Sequence, residues 1–91
     1  MEIIFSPQAE DDRTYWKKSG NKQIMKKISA LLADMELHPF TGLGKPEALR
    51  ENLSGYWSRR INAEHRIIYS VHDKVIEIYV LSMRYHYPKS R

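Results

Sequence analysis

The sequence predicts an α+β fold: an N-terminal strand, two helices, then an antiparallel meander, with the helices packed on one face of the sheet. Three observations predict it. Six apolar residues from Ile24 to Met35 recur at helical spacing, a Ser-Pro pair follows a short apolar run at the start, and the second half reads as strands separated by turns. Strand, helix pair and meander in that order make a two-layer arrangement.

The first strand is Glu2-Ile3-Ile4-Phe5, ended by Ser6-Pro7. Serine at the cap and proline at the first helical position start a helix, and Glu10, Asp11 and Asp12 place negative charge where the helix dipole favours it. Tyr15 and Trp16 are its expected apolar anchor, Lys17-Lys18 lie near its end, and Ser19-Gly20-Asn21 breaks it. In the second helix Ile24, Met25, Ile28, Leu31, Leu32 and Met35 form one stripe, with Lys22, Lys26, Lys27 and Asp34 off it. Such a stripe is core. His38-Pro39 ends that helix, because the residue before proline is pushed out of helical geometry. Phe40 to Lys45 then reads as a loop with two glycines, delivering Lys45 and Glu47 to the strand-rich half. Strands are expected near Ala48–Asn52, Tyr56–Ile61, His65–His72 and Lys74–Tyr85, the last as a central strand covered on both faces.

A chain of 91 residues makes one domain, taken as residues 1–87 with a short extension at 88–91. No apolar run reaches the roughly 18 residues of a membrane span, and no signal segment opens the chain, so a cytoplasmic protein is expected. The absence of cysteine excludes disulfides and thiolate metal sites. His65 and His72 lack metal-ligand spacing, so no metal and no cofactor is expected. Residues 1–44 hold six basic and six acidic groups, whereas residues 45–91 hold nine basic against five acidic. The surplus of charge therefore sits in the half that also carries six of the ten aromatics. That combination suggests a polyanion such as nucleic acid, against the plainer reading of a basic surface kept for solubility.

The stretch Asn52–Arg66 concentrates this chemistry. If Asn62-Ala63-Glu64 connects a hairpin, Ile61 faces His65, Trp57 pairs with Tyr69 and Arg59 with Ile67. On the other face Tyr56 pairs with Ser70, Ser58 with Ile68 and Arg60 with Arg66. Like charges directly opposite on a sheet repel. Two guanidiniums grip a phosphate well; alternatively Glu47, Glu51 or Glu77 neutralises one, or both splay into solvent. Arg59 has the wrong parity for this face and is expected to snorkel at the core edge or contact a partner.

RNA can be cut by its own 2′-hydroxyl, given a base for that hydroxyl, cations for the charge on phosphorus, and an acid for the leaving 5′-oxygen. Glu47, the Arg60/Arg66 pair and His86 supply those groups, and Tyr85 or Tyr87 could stack on a base. Each has an ordinary alternative as a solvated surface group.

The pieces together resemble the YoeB toxins of the RelE/ParE superfamily. The matching residues are Asp11-Asp12, Tyr15-Trp16, Pro39-Phe40-Thr41-Gly42, Gly44-Lys45-Pro46-Glu47, Asn52 to Ile61, Glu64-His65-Arg66, Tyr69 and Arg84-Tyr85-His86-Tyr87. The resemblance implies a RelE-like microbial RNase fold and a ribosome-dependent endoribonuclease that cuts mRNA in the decoding site. It implies Glu47 as general base, Arg66 as stabiliser of the transition-state phosphate, His86 as general acid and Tyr87 as a substrate-positioning group. Arg60 and Arg50 would add phosphate contacts, Lys45, Arg84 and Tyr85 would help hold RNA, and no metal would take part. The implied partners are a cognate YefM-like antitoxin, the 30S decoding site with its mRNA, a second copy in a homodimer, and operator DNA only through the antitoxin complex. The family pattern usually stops near the final tyrosine, whereas Pro88-Lys89-Ser90-Arg91 follows here. Its two cations could strengthen RNA contact or change how an antitoxin covers the site. Two other functions compete: a gyrase-poisoning inhibitor of the same fold, and an RNA-binding module without catalysis.

Overall fold

The computed structural model describes residues 1–80. Strand β1 is Glu2–Phe5, and helix α1 is Pro7–Ser19. The Ser6 hydroxyl accepts from the Ala9 N–H at 3.0 Å and donates to the Tyr79 carbonyl at 2.7 Å, so one side chain both caps α1 and ties it to the last strand. Helix α2, Lys22–Leu37, is capped by Asn21, whose side chain accepts from the Ile24 N–H at 3.1 Å. The predicted stripe is its buried face: Ile24, Ile28, Leu31 and Met35 are buried, and Met25 and Leu32 pack beside them. Only half of the anchor expected in α1 holds. Trp16 is buried, while Tyr15 stays exposed and lies edge-on to it at 5.0 Å.

The remaining strands are β2 (Glu47–Ala48), β3 (Trp57–Arg60), β4 (Arg66–His72) and β5 (Val75–Val80). In space the order is β1-β5-β4-β3-β2. The meander from β2 to β5 is antiparallel, as expected, but β1 pairs parallel to β5, with Ile3 beside Ile76 and Phe5 beside Ile78. The sheet is therefore mixed. Ile67, Tyr69, Ile76 and Ile78 are fully buried and meet Ala9, Trp16 and the α2 stripe in one core, which places both helices on the same face. Burial of each such side chain is worth about 1.5–3 kcal/mol.

Two expectations are corrected. β5 has a strand on each side, but among the described residues its outer face is covered only in part: Ile76 and Ile78 are buried on the inner face, Glu77 between them is exposed, and Tyr79 packs against Ile68. Of the run expected as a strand at Ala48–Asn52 only Ala48 lies in β2; the Leu49 N–H still donates to the Tyr56 carbonyl at 2.9 Å, and the chain then turns into a 3-10 segment at Glu51–Leu53. Glu51 adopts a left-handed φ of 58°, which takes the chain out of the ladder. The part of the last predicted strand beyond Val80 lies outside the described residues.

The β3–β4 register is the one the odd connection predicts: Trp57 with Tyr69, Ser58 with Ile68, Arg59 with Ile67, Arg60 with Arg66. The Asn62 side chain fixes the turn by accepting from the N–H groups of Glu64 (2.9 Å) and His65 (2.8 Å). The Ile61 N–H then donates to the His65 carbonyl at 2.9 Å.

Candidate active site

Pleating divides the strands between two surfaces. Trp57, Arg59, Ile67 and Tyr69 face the helices, while Ser58, Arg60, Arg66 and Ile68 face away. Glu47 is opposite Ser58, so its carboxylate projects from the same outer face as the two arginines. Arg60 is its diagonal neighbour, a separation of roughly 7–8 Å between positions. Leu49, Tyr56 and Tyr79 close over Ile68 on that face, with the two tyrosine rings 5.3 Å apart.

Arg60 and Arg66 sit directly opposite each other. The Arg60 N–H points away from β4 and donates to the Gly44 carbonyl at 2.7 Å. The pair is thus of the non-hydrogen-bonded kind, in which side chains come closest. Arg66 is held by its own turn, its Nη1 donating to the carbonyls of Asn62 (3.0 Å) and His65 (3.2 Å). Arg60 is exposed and makes no ion pair among the described residues. Nor does Glu47, Glu51 or Glu77 pair with either arginine, so the neutralised alternative is not what these side chains adopt. Two neighbouring cations without a carboxylate are suited to a bound phosphate.

Lys45 is exposed two residues before Glu47, and its φ of 52° swings the loop out of the ladder beside Arg60. Arg50 is exposed just ahead of the 3-10 segment, and its carbonyl accepts from the Leu53 N–H at 3.1 Å. Arg84, Tyr85, His86 and Tyr87 lie outside the described residues. Among the described residues no group of three or more metal-binding side chains converges.

Arg59 departs from its expected role. Rather than snorkelling, it is fully buried, and all five guanidinium N–H groups have acceptors. Nε donates to the Tyr69 hydroxyl (3.1 Å), Nη1 to Asp34 (2.6 Å) and the Leu43 carbonyl (3.2 Å), and Nη2 to the carbonyls of Thr41 (2.8 Å) and His38. Tyr69 donates in turn to the Pro39 carbonyl at 2.7 Å. Asp34 also accepts from the Leu43 N–H at 3.0 Å. The loop from His38 to Leu43 is therefore wrapped around one cation. The Arg59 hydrogen bond, with help from the Leu43 N–H, holds the Asp34 carboxyl below its ordinary range, while burial pushes the Tyr69 phenol up. The two loop glycines are required by this wrapping. A Cβ on Gly42 (φ 109°) would lie 2.1 Å from Asp34 Oδ2, and one on Gly44 (φ 79°) 2.8 Å from Leu31. An arginine at core parity and two glycines in the loop were the signals for this cluster; its counter-charge, Asp34, was not paired with it.

Known proteins resemble this chain in sequence and in fold. The family model for YoeB-like toxins of bacterial type II toxin-antitoxin systems matches residues 5–87. Toxin YoeB of Escherichia coli (strain K12) is 47% identical over 87 residues, covering 96% of this chain and all of its own. Toxin YoeB of Synechocystis is 42% identical over 89 residues, covering 98% of this chain and all of its own. Among solved structures, a YoeB/ParE toxin from Agrobacterium tumefaciens superposes with a TM-score of 0.87 at 36% identity, covering 93% of this chain and 100% of that one. Staphylococcus aureus YoeB, in a heterotetrameric complex with YefM, superposes at 0.84 with 45% identity, covering 96% and 98%. A separate structure of the S. aureus protein is a YoeB dimer.

Proposed function

The chain belongs to the YoeB-like toxins of bacterial type II toxin-antitoxin systems, and from that premise we propose that it is a ribosome-dependent endoribonuclease cutting mRNA in the decoding site. The observation that carries this reading is the shared outer face: Glu47, Arg60 and Arg66 occupy positions on it, with no carboxylate among the described residues paired to either arginine. The Glu47 carboxylate takes the proton of a 2′-hydroxyl as that oxygen attacks the neighbouring phosphorus. Arg66, seconded by Arg60, stabilises the charge building on the phosphoryl oxygens. The new O2′–P bond forms as the P–O5′ bond breaks, leaving a 2′,3′-cyclic phosphate and a 5′-hydroxyl. His86 protonates the departing oxygen and Tyr87 positions the substrate. Those two roles enter through the match to the family's closing Arg84-Tyr85-His86-Tyr87 sequence. Lys45, Arg50, Arg84 and Tyr85 contribute RNA contacts. The S. aureus complex and dimer support a YefM-like antitoxin and a second copy of the chain as partners, with operator DNA reached through the antitoxin. A ribosomal target makes the protein cytoplasmic.

Expression of the chain without antitoxin tests the proposal. Growth should stop, with new 5′ ends mapped inside translated mRNA and lost when translation is blocked beforehand. Arrest with intact mRNA and supercoiling-defective DNA would replace the nuclease by a gyrase inhibitor. Cutting that persists without ribosomes would remove the ribosome from the mechanism.

Arg60→Gln separates binding from folding. Removing one of two facing cations should leave the urea midpoint unchanged or slightly raised, while cleavage falls. A clear drop in midpoint would make Arg60 a structural residue.

A further inference from the structure

The arginine that takes no part on the outer face is the most heavily bonded side chain of the described structure. Arg59 lies in β3 between Ser58, which pairs with Glu47, and Arg60. Its side chain leaves by the opposite face and gathers the carbonyls of His38, Thr41 and Leu43 together with Asp34. The chain running from those carbonyls through Gly44 and Lys45 ends at Glu47. The Gly44 carbonyl meets the Arg60 N–H on the way, and Asp34 closes the far side by holding the Leu43 N–H. One guanidinium thus fixes the Glu47 loop against the strand that carries Arg60.

We propose that Arg59, with Asp34 as its counter-charge, is a positioning residue that sets the placement of Glu47 relative to the Arg60/Arg66 pair. This rests on the reading of Glu47 as the general base. A buried guanidinium suits the task better than an apolar residue of similar volume, because its five donors point in fixed directions at backbone acceptors. An apolar side chain would fill the space without fixing where those carbonyls lie. Proton transfer needs the base within hydrogen-bond reach of the 2′-hydroxyl, and misplacement by about 1 Å can cost ~100-fold in rate.

Single-turnover cleavage by purified full-length variants on programmed ribosomes tests this, with folded fraction matched by circular dichroism. Arg59→Lys keeps the charge beside Asp34 but cannot serve five acceptors. It should cut about 10- to 100-fold more slowly at saturating ribosomes, with apparent affinity changed less than about 3-fold. Asp34→Asn is the second variant should Arg59→Lys not fold. Its amide oxygen still accepts from Leu43, and a loss of about 10-fold in the same rate is expected. The decisive readout is a double-mutant cycle with Glu47→Asp, which shortens the base without deleting it. Either clamp variant should cost much less in that background than in the wild type, since both changes misplace the same carboxylate. Additive losses, or a loss carried wholly by affinity, would overturn the proposal. So would wild-type rates in Arg59→Lys or Asp34→Asn while Glu47→Ala is inactive, an outcome that leaves Glu47 as the base. Glu47→Ala cutting at the wild-type rate would instead remove the base assignment, and this inference with it.

Discussion

Arg59→Met should destabilise the chain by about 2–4 kcal/mol, because the acceptors served by one buried guanidinium are left without their donor. Methionine fills much of the arginine volume, so the loss is not chiefly one of packing. It comes from the Asp34 carboxylate, the Tyr69 hydroxyl and the carbonyls of His38, Thr41 and Leu43, which lose their common donor. With a urea dependence near 1 kcal/mol/M for a small domain, the midpoint should fall by roughly 3 M. A loss under about 1 kcal/mol would mean that water replaces the guanidinium at little cost. The same pair gives an acid signature. The folded chain holds the Asp34 carboxyl below its value in the unfolded chain. Its contribution is fully present above about pH 4 and drains away as pH falls through the lowered folded value. In Arg59→Met that part of the acid dependence should flatten.

Arg66→Ala should cut mRNA at least 100- to 1,000-fold more slowly, as expected when one charged donor is removed from a developing phosphorane. Folding should survive. Arg66 makes two hydrogen bonds to carbonyls of its own turn, and each is worth about 1 kcal/mol or less at a partly exposed site. Arg66→Lys should recover part of the rate, since it restores charge but not the planar fork. Primer extension on a translated message, beside urea denaturation of the same preparations, checks both halves. A variant that folds and cuts normally would move the phosphate contact elsewhere.

What the sequence made legible was whatever depends on parity and period. The α2 stripe identified its buried face because side chains three and four apart share one side of a helix. The odd connection of the hairpin placed Arg60 opposite Arg66 because a single slip would have exchanged the two faces. Ser6 and Pro7 marked a helix start by local chemistry alone. What stayed hidden depends on partners distant in the chain. Nothing local to Glu2–Phe5 states that β1 will lie parallel to β5. The parity of Arg59 correctly set it on the core face. Its burial, however, depends on Asp34, 25 residues away, and on backbone carbonyls that carry no sequence signature. The two-residue β2 was lost in the same way, since the left-handed Glu51 looks like any other residue in an apolar-polar run.

The parallel seam between β1 and β5 has a bearing on how the chain folds. Partners such as Ile3 and Ile76 stand some seventy residues apart, and closing a loop of that size costs about 4 kcal/mol of chain entropy. The β3–β4 and β4–β5 hairpins close over only a few residues and can form early. Strand β1 is therefore expected among the last to find its neighbour. Until it docks, β5 keeps an open edge and Ile3 and Phe5 wait in solvent. The arginine face is assembled from the middle of the sequence, but the sheet beneath it is sealed by the chain's opening residues.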